Sequence, residues 1–454
     1  MRIVLLLGIF GMLGGSVVNA ENANVSQSQT QQVQNVQIQA QQINQQNQQY
    51  QQMKIQQGQG MQSMQQMQFI GNQEMLQIED IEDIHRAIDG YAKEYANLRP
   101  IDGKRPDDPK LVQLCLLLDT SNSMDGLINQ AKSQLWTIVN ELSKAQKDEE
   151  GIRLQVALYE YGNDGLSLTT GYIRQVTAFT EDLDLLSEAL FALKTNGGSE
   201  YCGHVIGASL NGLKWNTSKE GLKMIYIAGN EPFHQGPVNF KATCGFAAER
   251  MVVVNTIHCG DYQTGINTSW QMGATIGNGS YFAIDSDKVT EGIPSPYDDE
   301  LIRLNGEMNK TYVPYGSSGK QNLMRQSVQD TNAAQMSKSN FAGRAVSKGS
   351  SLYKSSSWDL VDAIEENTIT IDKVKRDQLP EELQNKTDEE LKAYVENKNK
   401  ERKDIKSQIA DLSKKRADFI QEQRAQEEGD KSLGSVILES LHNQAETQNF
   451  GFKE

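Results

Sequence analysis

The strongest constraint on the fold is an alternation of strand-like and helix-like segments between residues 111 and 284. Residues 111–118 form an apolar run typical of a fully buried strand. The apolar residues of 127–142 then recur at the spacing of one helix face. The pattern continues with a predicted helix at 183–194 and predicted strands at 154–161, 223–228, 251–258 and 280–284. This order predicts an α/β fold, with a doubly wound, mostly parallel sheet and helices on both faces.

The composition indicates that this domain does not occupy the whole chain of 454 residues. Only 37% of the residues are hydrophobic, too few for one core to fill that length, so we expect a globular middle with polar flanks. The formal net charge of -15 disfavours binding to nucleic acid or to an anionic membrane surface. It favours an affinity for cations.

Residues 1–20 have the pattern of a secretory signal peptide. A short basic start at Arg2 precedes an apolar stretch at 3–18, and Val18 and Ala20 suit a cleavage site after Ala20. The alternative is an uncleaved membrane anchor, although the apolar stretch is short against the roughly 20 residues that span a bilayer. No later segment is apolar enough to cross a membrane, so we expect a secreted or periplasmic protein without an integral membrane segment after signal cleavage.

Two segments separate the signal peptide from the α/β domain. Residues 21–74 are rich in glutamine and poor in large apolar side chains, which predicts disorder, with self-association of the polar tract as the alternative. Residues 75–108 are predicted to form an amphipathic helix and a linker. The apolar stripe of that helix consists of Ile81, Ile84, Ile88, Tyr91, Tyr95 and Leu98.

The sequence after residue 290 has a weaker pattern. Residues 291–378 are predicted to be a loop-rich extension with short helices at 299–308 and 322–336 and a Ser-rich loop at 347–357. Residues 379–454 are predicted to be a charged helical tail, in which Thr387 and Glu390 form a capping box.

Residues along the tail repeat in alternating steps of four and three, and we call them the seam: Leu391, Val395, Lys398, Arg402, Ile405, Ile409, Leu412, Arg416 and Phe419. This spacing allows a coiled coil, and hence self-association through the C-terminal helix. Three seam positions are basic, so a single solvated helix or a helical hairpin remains an alternative.

The pattern D-x-S-x-S occurs where the first predicted strand gives way to a helix. Asp119, Ser121 and Ser123 provide one carboxylate and two hydroxyls there. In parallel α/β sheets ligands bind at the carboxyl ends of strands. Hard oxygen ligands of low total charge suit Mg²⁺.

Two later loops supply further oxygen atoms at the same predicted sheet edge. Ser199 follows two glycines, and Asn230 follows the strand at 223–228. With the first loop, they resemble the metal-ion-dependent adhesion site of the von Willebrand factor A family over about residues 109–290. We therefore expect an exported, bacterial member of that family.

The resemblance implies a role for each loop. Ser121 and Ser123 would bind the metal through their hydroxyls, and Asp119 through water or directly. Ser199 stands where the family usually has threonine. Asn230 stands where it has a second aspartate, which removes a negative charge, so the metal would be more electrophilic but held less tightly unless Glu200 or Glu231 compensates. Mg²⁺ is the expected ion, with Mn²⁺ or Ca²⁺ as alternatives.

The resemblance also implies binding rather than turnover. The open position of the metal accepts a carboxylate from a protein partner, so we expect an adhesion or scaffold protein and not an enzyme. The sequence lacks the G-x-S-x-G, H-E-x-x-H and P-loop motifs. The alternative is a self-assembling structural protein that uses the Gln-rich tract and the C-terminal helix and carries a vestigial metal site.

The four cysteines leave two interpretations open. Cys115 lies within the first strand and is predicted to be a buried thiol. An exported protein allows a disulfide, for which we favour Cys244 with Cys259 and leave Cys202 unpaired. A zinc site that uses His204 or His258 is the alternative, although the spacings match no common zinc pattern.

Overall fold

The computed structural model describes residues 104–288, 292–424 and 432–453. The predicted signal peptide, Gln-rich tract and amphipathic helix lie outside the described residues. Within them, no helix is long and apolar enough to cross a membrane.

A mostly parallel sheet of six strands forms the centre of the structure, which confirms the predicted α/β class. The strands of the described residues, in chain order, are β1 (Leu111–Asp119), β2 (Ala145–Lys147), β3 (Glu150–Gly151), β4 (Arg153–Tyr161), β5 (Ile173–Thr180), β6 (Leu222–Gly229), β7 (Val253–Cys259), β8 (Asn278–Ile284) and β9 (Phe450–Phe452). The order across the large sheet is β5-β4-β1-β6-β7-β8, and β5 alone is antiparallel to its neighbour. The three remaining strands form a small antiparallel sheet in the order β3-β2-β9.

Helices cover both faces of the large sheet and continue beyond it. In chain order they are α1 (Asp125–Leu142), α2 (Leu183–Ala192), α3 (Cys202–Gly212), α4 (Phe240–Glu249), α5 (Tyr262–Asn267), α6 (Trp270–Ile276), α7 (Asp298–Asn309), α8 (Gly319–Met336), α9 (Lys338–Gly349), α10 (Leu360–Glu365), α11 (Glu381–Gln384), α12 (Asp388–Arg424) and α13 (Leu433–Thr447). The helices predicted at 299–308 and 322–336 correspond to α7 and α8. The Ser-rich loop predicted at 347–357 is wrong in its first part, because α9 extends to Gly349.

Strand β1 shows how the sheet separates two cores. Val112, Leu114 and Leu118 point into one core, which includes residues of α1, α2 and α13, whereas Cys115 and Leu117 point into the other, with residues of α3, α4 and α6. Alternate side chains of a strand point to opposite faces, so a strand buried on both faces is apolar throughout. This explains the apolar run in the sequence, in which Gln113 is the one polar residue between 111 and 118.

The last helix of the sheet core, α13, follows a long helical extension. Leu433, Val436, Ile437 and Leu441 are buried against α1 and the sheet, and β9 then pairs with β2. Residues 432–453, expected to belong to the charged tail, therefore complete the α/β core. The extension between β8 and α13 is inserted into that core.

The extension is joined to the core by buried ion pairs. Arg344 of α9 is completely buried and donates hydrogen bonds to Asp184 of α2 at 2.7 Å and to Asp330 of α8 at 2.6 Å. A lone buried charge costs far more free energy than a paired one, so these contacts fix how α8 and α9 pack against α2.

Helix α12 is part of the extension and packs against its other helices. Its predicted capping box is present, since Thr387 N donates to Glu390 Oε2 at 2.9 Å and Glu390 N to Thr387 Oγ1 at 3.2 Å. The seam residues Leu391, Val395 and Ile409 are buried in intramolecular clusters. The expected coiled coil would need these positions for a second chain, so the structure favours an intramolecular role.

The basic seam residues also have partners in this chain. Arg402 donates to Asp359 and Asp362 and, at 2.7 Å, to the carbonyl oxygen of Thr311. Arg416 donates to Asp298 at 2.9 Å. The charges of these two arginines are thus neutralised within the chain, and Lys398 pairs with Glu401 of α12 itself.

Candidate metal centre

The predicted site lies where three neighbouring parallel strands end. Asp119 is the last residue of β1 and is in register with Tyr161, the last residue of β4. On the other side, Leu118 pairs with Ala228 of β6, so the loop after Gly229 begins beside Asp119. The sheet order β4-β1-β6 therefore brings the loops after β1 and β6 to one edge, as the sequence predicted.

The D-x-S-x-S loop is folded around the Asp119 carboxylate. Ser121 N donates to Asp119 Oδ1 at 2.7 Å, and the hydroxyls of Ser121 and Ser123 lie 3.3 Å apart. Asp119 is completely buried, and its second oxygen, Oδ2, has no hydrogen-bond partner. This arrangement places two hydroxyls and a buried carboxylate close together.

Asn230 joins this group from the loop after β6. Its Nδ2 donates to Ser123 Oγ at 3.0 Å, while its buried Oδ1 has no partner. Glu231, the next residue, is exposed, and its backbone carbonyl accepts a hydrogen bond from Trp270 Nε1 at 2.9 Å. Of these two adjacent candidates, the structure brings the Asn230 side chain to the site.

The loop before α3 places glutamate rather than serine beside Asp119. Ser199 is half-buried and has no hydrogen bond to a described residue, whereas Glu200 is only 4% exposed. The Glu200 carboxyl group interacts with the side chains of Asp119 and Ser121, and its Oε2 has no hydrogen-bond donor. Glu200, considered from the sequence only as a supporting residue, is therefore closer to the centre than Ser199.

Burial dominates the electrostatics of the two carboxyl groups. It raises the pKa of Asp119 well above the usual range, and the neighbouring Glu200 raises that pKa further, while hydrogen bonds from Ser121 oppose the shift. Burial likewise raises the pKa of Glu200, although hydrogen bonding to Asp119 and Ser121 lowers it in part. Both groups therefore lose stability in the charged form unless a positive charge compensates.

The donor set fits a hard divalent cation. Three buried oxygens, Asp119 Oδ2, Glu200 Oε2 and Asn230 Oδ1, have no hydrogen-bond partner. Buried polar atoms are almost always paired, and these three acceptors without a protein partner lie in one cluster of loops, where a cation could be bound. Carboxylate, amide and hydroxyl oxygens are the ligands preferred by Mg²⁺ and Ca²⁺.

Three residues that the sequence analysis did not single out shape the site. Gly162, directly after β4, has a positive φ of +76°, and a Cβ there would lie 2.7 Å from both Asp119 Oδ1 and Glu200 Cγ. Gln235 Oε1 accepts a hydrogen bond from Glu200 N at 2.7 Å. Tyr161 donates to the Ala228 carbonyl at 3.0 Å and so links β4 to β6. Of these three residues, only Gly162 had a sequence signal, because it is a glycine directly after a predicted buried strand.

The predicted disulfide is wrong. Cys244 lies in the core on one face of the sheet and Cys259 in the core on the other, so their side chains cannot meet. Cys115, Cys202, Cys244 and Cys259 are all buried free thiols, as expected for Cys115. Burial raises the pKa of each thiol, which makes them unreactive.

The structure also disfavours a zinc site at the histidines. Across 104–288, 292–424 and 432–453, no three or more His, Cys, Asp or Glu side chains form a group that could hold a metal ion. The candidate centre at Asp119 is not a group of this kind, because serine and asparagine supply several of its oxygen atoms.

Comparison with known proteins finds similarity only at the level of structure. No family model matches the sequence, and no curated protein matches it. Proximal thread matrix protein 1 from the mussel byssus is similar at 12% identity and a TM-score of 0.29, covering 40% of this chain and 44% of that one. This chain therefore spans less than half of the mussel protein.

Two isolated domains are similar to a comparable part of the chain. The SpRpn10 VWA domain shares 14% identity, with a TM-score of 0.29, over 38% of this chain and 88% of that one. The vWF domain of the type V pili tip protein Mfa5 from Porphyromonas gingivalis shares 14% identity, with a TM-score of 0.28, over 40% of this chain and 90% of that one.

Proposed function

We propose that this chain is an exported von Willebrand A-type protein that binds a partner through a divalent cation. The cation, Mg²⁺ or alternatively Mn²⁺ or Ca²⁺, would be held by Asp119, Ser121, Ser123 and Asn230, with Ser199 available from the third loop. Once bound, it would supply a Lewis-acidic position for a carboxylate of a protein partner. The proposed chemistry is binding and not turnover, in adhesion or in assembly outside the cytoplasm.

One observation carries the proposal. Asp119 Oδ2 is completely buried and has no hydrogen-bond partner, and it lies in a cluster with the hydroxyls of Ser121 and Ser123. An uncompensated buried carboxylate is strongly unfavourable, so a bound cation is the simplest physical account of its retention at this sheet edge.

Some residues of the chain would bind the ion, and others would position the side chains that bind it. The backbone N–H of Ser121 fixes one oxygen of Asp119, which leaves the other free for the ion or for its water. Asn230 Nδ2 donates to Ser123 Oγ and occupies one lone pair of that hydroxyl, which leaves the other lone pair for the ion. Gly162 leaves the space in which Asp119 and Glu200 approach.

A capture experiment tests the proposal. The full chain is immobilised and exposed to extract that contains either about 2 mM Mg²⁺ or EDTA. About 2 mM exceeds the roughly 10⁻⁴–10⁻³ M dissociation constants of weak extracellular Ca²⁺ sites. Retention of a specific protein in Mg²⁺ and its loss in EDTA and in Ser121→Ala/Ser123→Ala is the expected result. Ser317→Ala/Ser318→Ala is the matched control, since both serines are exposed and directly precede α8, outside the loops of the candidate centre.

The opposite result favours a different class of function. Association that persists in EDTA and in the Ser121→Ala/Ser123→Ala variant would contradict metal-dependent binding. It would instead favour a self-assembling structural protein with a vestigial site.

A further inference from the structure

Glu200 occupies an unusual position for a glutamate. It immediately follows Ser199, yet its side chain is buried at the candidate centre while the serine is only half-buried. Its carboxyl group adjoins that of Asp119 and the hydroxyl of Ser121, and also interacts with the backbone N–H of Glu231. The glutamate therefore contacts the loops after both β1 and β6.

Two contacts from neighbouring loops support this position. Glu200 N is held by Gln235 Oε1 at 2.7 Å. Gly162 adopts the left-handed conformation, and any side chain there would begin 2.7 Å from Glu200 Cγ. Glycine adopts this conformation without strain and has no Cβ to fill the space beside Glu200. Gly162 therefore permits the close approach of Glu200 to Asp119.

The two carboxyl groups have no counter-charge. Neither Asp119 nor Glu200 forms an ion pair with a lysine, arginine or histidine of the described residues. Elsewhere in the same chain, buried aspartates such as Asp184 and Asp359 pair with arginine. Two adjacent buried carboxyl groups without a cationic side chain leave Asp119 Oδ2 and Glu200 Oε2 unpaired, a need that one divalent cation meets.

We propose that Glu200 is a direct protein ligand of the cation and supplies the second carboxylate that Asn230 cannot. This inference rests on the proposed metal site and specifies its charge. Two carboxylates balance a divalent ion, so the loaded site carries little net charge. The ion then attracts an acidic partner less strongly than a site with Asp119 alone.

Binding of Mn²⁺ to the full chain, followed by electron paramagnetic resonance of the free ion, tests this assignment. Glu200→Gln keeps the shape but removes the charge, and we expect Mn²⁺ affinity to fall at least tenfold, about 1.4 kcal/mol. Glu231→Gln removes the same charge from the exposed neighbour in the loop after β6, and its affinity should stay within about twofold of the wild type.

A charge exchange separates ligation from a purely structural role. In Glu200→Gln/Asn230→Asp, the new Asp at position 230, in the loop after β6, supplies the second carboxylate in place of Glu200. We expect this double variant to recover most of the lost Mn²⁺ affinity. Damage to the fold would not be repaired by a new aspartate, so recovery supports ligation.

Thermal unfolding gives a second readout. Because Glu200→Gln removes a buried charge next to Asp119, the metal-free variant should melt no lower than the metal-free wild type. Added Mn²⁺ should raise the melting temperature of the wild type more than that of the variant. A variant that melts well below the wild type without metal would contradict the assignment, since Glu200 would then be needed for the fold itself.

The remaining outcomes distinguish the inference from the function on which it rests. Wild-type chain that binds no Mn²⁺ would overturn both. Wild-type chain and Glu200→Gln that bind Mn²⁺ equally well would overturn the role of Glu200 alone and leave the cation with Asp119, Ser121 and Ser123.

Discussion

Gln130 of α1 accepts a hydrogen bond from the backbone N–H of Leu433, the first residue of α13, at 2.9 Å. Its Nε2 lies 2.8 Å from the carbonyl oxygen of Asp285 and 3.1 Å from that of Ser286. The same amide thus binds the chain where it leaves the sheet core after β8 and where it returns to it.

We expect Gln130→Ala to lower the free energy of unfolding by about 1–3 kcal/mol, because it leaves buried backbone groups unpaired. Asn129→Ala, at the exposed neighbouring position of the same helix, should change it by less than about 0.5 kcal/mol. Urea unfolding of both variants measures the difference. Equal values for the two would show that the amide does not join the ends of the extension.

The buried arginine of α12 gives a second stability test. Arg402 is 1% exposed and pairs with Asp359 and Asp362, which are 0% and 11% exposed. Arg402→Met leaves two buried carboxylates without their partner and should cost about 3–5 kcal/mol. Lys403→Met breaks an exposed pair with Glu365 and should cost at most about 1 kcal/mol, so similar losses for both would contradict the packing of α12.

A pH dependence follows from Lys348. Burial lowers the pKa of Lys348 to about 8 from the ordinary value of 10.5, even though Asp330 lies 3.2 Å from its Nζ and opposes the shift. Arg344, in the same cluster, lowers this pKa further, whereas Asp184 raises it. Between pH 8 and 10.5 the unfolded chain binds more protons at this lysine than the folded chain does. Stability from this group therefore increases with pH in that window.

Comparison with Lys348→Met separates the contribution of Lys348 to stability from those of the other titrating groups. The stability of the wild type relative to the variant should increase by about 2 kcal/mol between pH 7.5 and pH 9.5. Urea unfolding of both proteins at the two pH values measures it. A constant difference would mean that Lys348 titrates as it does in the unfolded chain.

Asn230→Asp tests how the site distributes its charge. An aspartate beside Ser123 adds a carboxylate near the proposed cation, and we expect metal affinity to rise about tenfold, or 1.4 kcal/mol, after desolvation is subtracted. Affinity for an acidic partner should stay the same or fall, because the ion is further neutralised. Calorimetric titration with Mg²⁺ measures the first effect, and an unchanged affinity would remove Asn230 from the site.

The sequence predicts the buried strands well because burial on both faces makes them mostly apolar, although Gln113 and Lys223 are buried polar exceptions. Strand β5 was missed for the opposite reason. It lies at the edge of the sheet, and exposed Arg174 and Gln175 interrupt its apolar pattern. The seam of α12 was visible as a periodic stripe, but a periodic stripe does not indicate whether its partner is a second chain or, as here, the extension.

The site was predictable where residues follow directly from strand ends. Asp119, Ser121, Ser123 and Asn230 come together because β1 and β6 are neighbours. Glu200 was considered from the sequence, but its burial beside Asp119 was not predictable, since it depends on the conformation of Gly162 in a loop from another strand. The packing of α13 in the sheet core was not predictable, because the extension separates α13 from β8 in the sequence.

The most direct test of the account is a calorimetric titration of the full chain with Mg²⁺ and with Mn²⁺. We expect saturable binding at one site, a thermal midpoint that rises with metal concentration, and the loss of both in Ser121→Ala/Ser123→Ala. Ser317→Ala/Ser318→Ala should bind like the wild type. Absence of heat and of any thermal shift in the wild type at millimolar metal would contradict a cation site at Asp119.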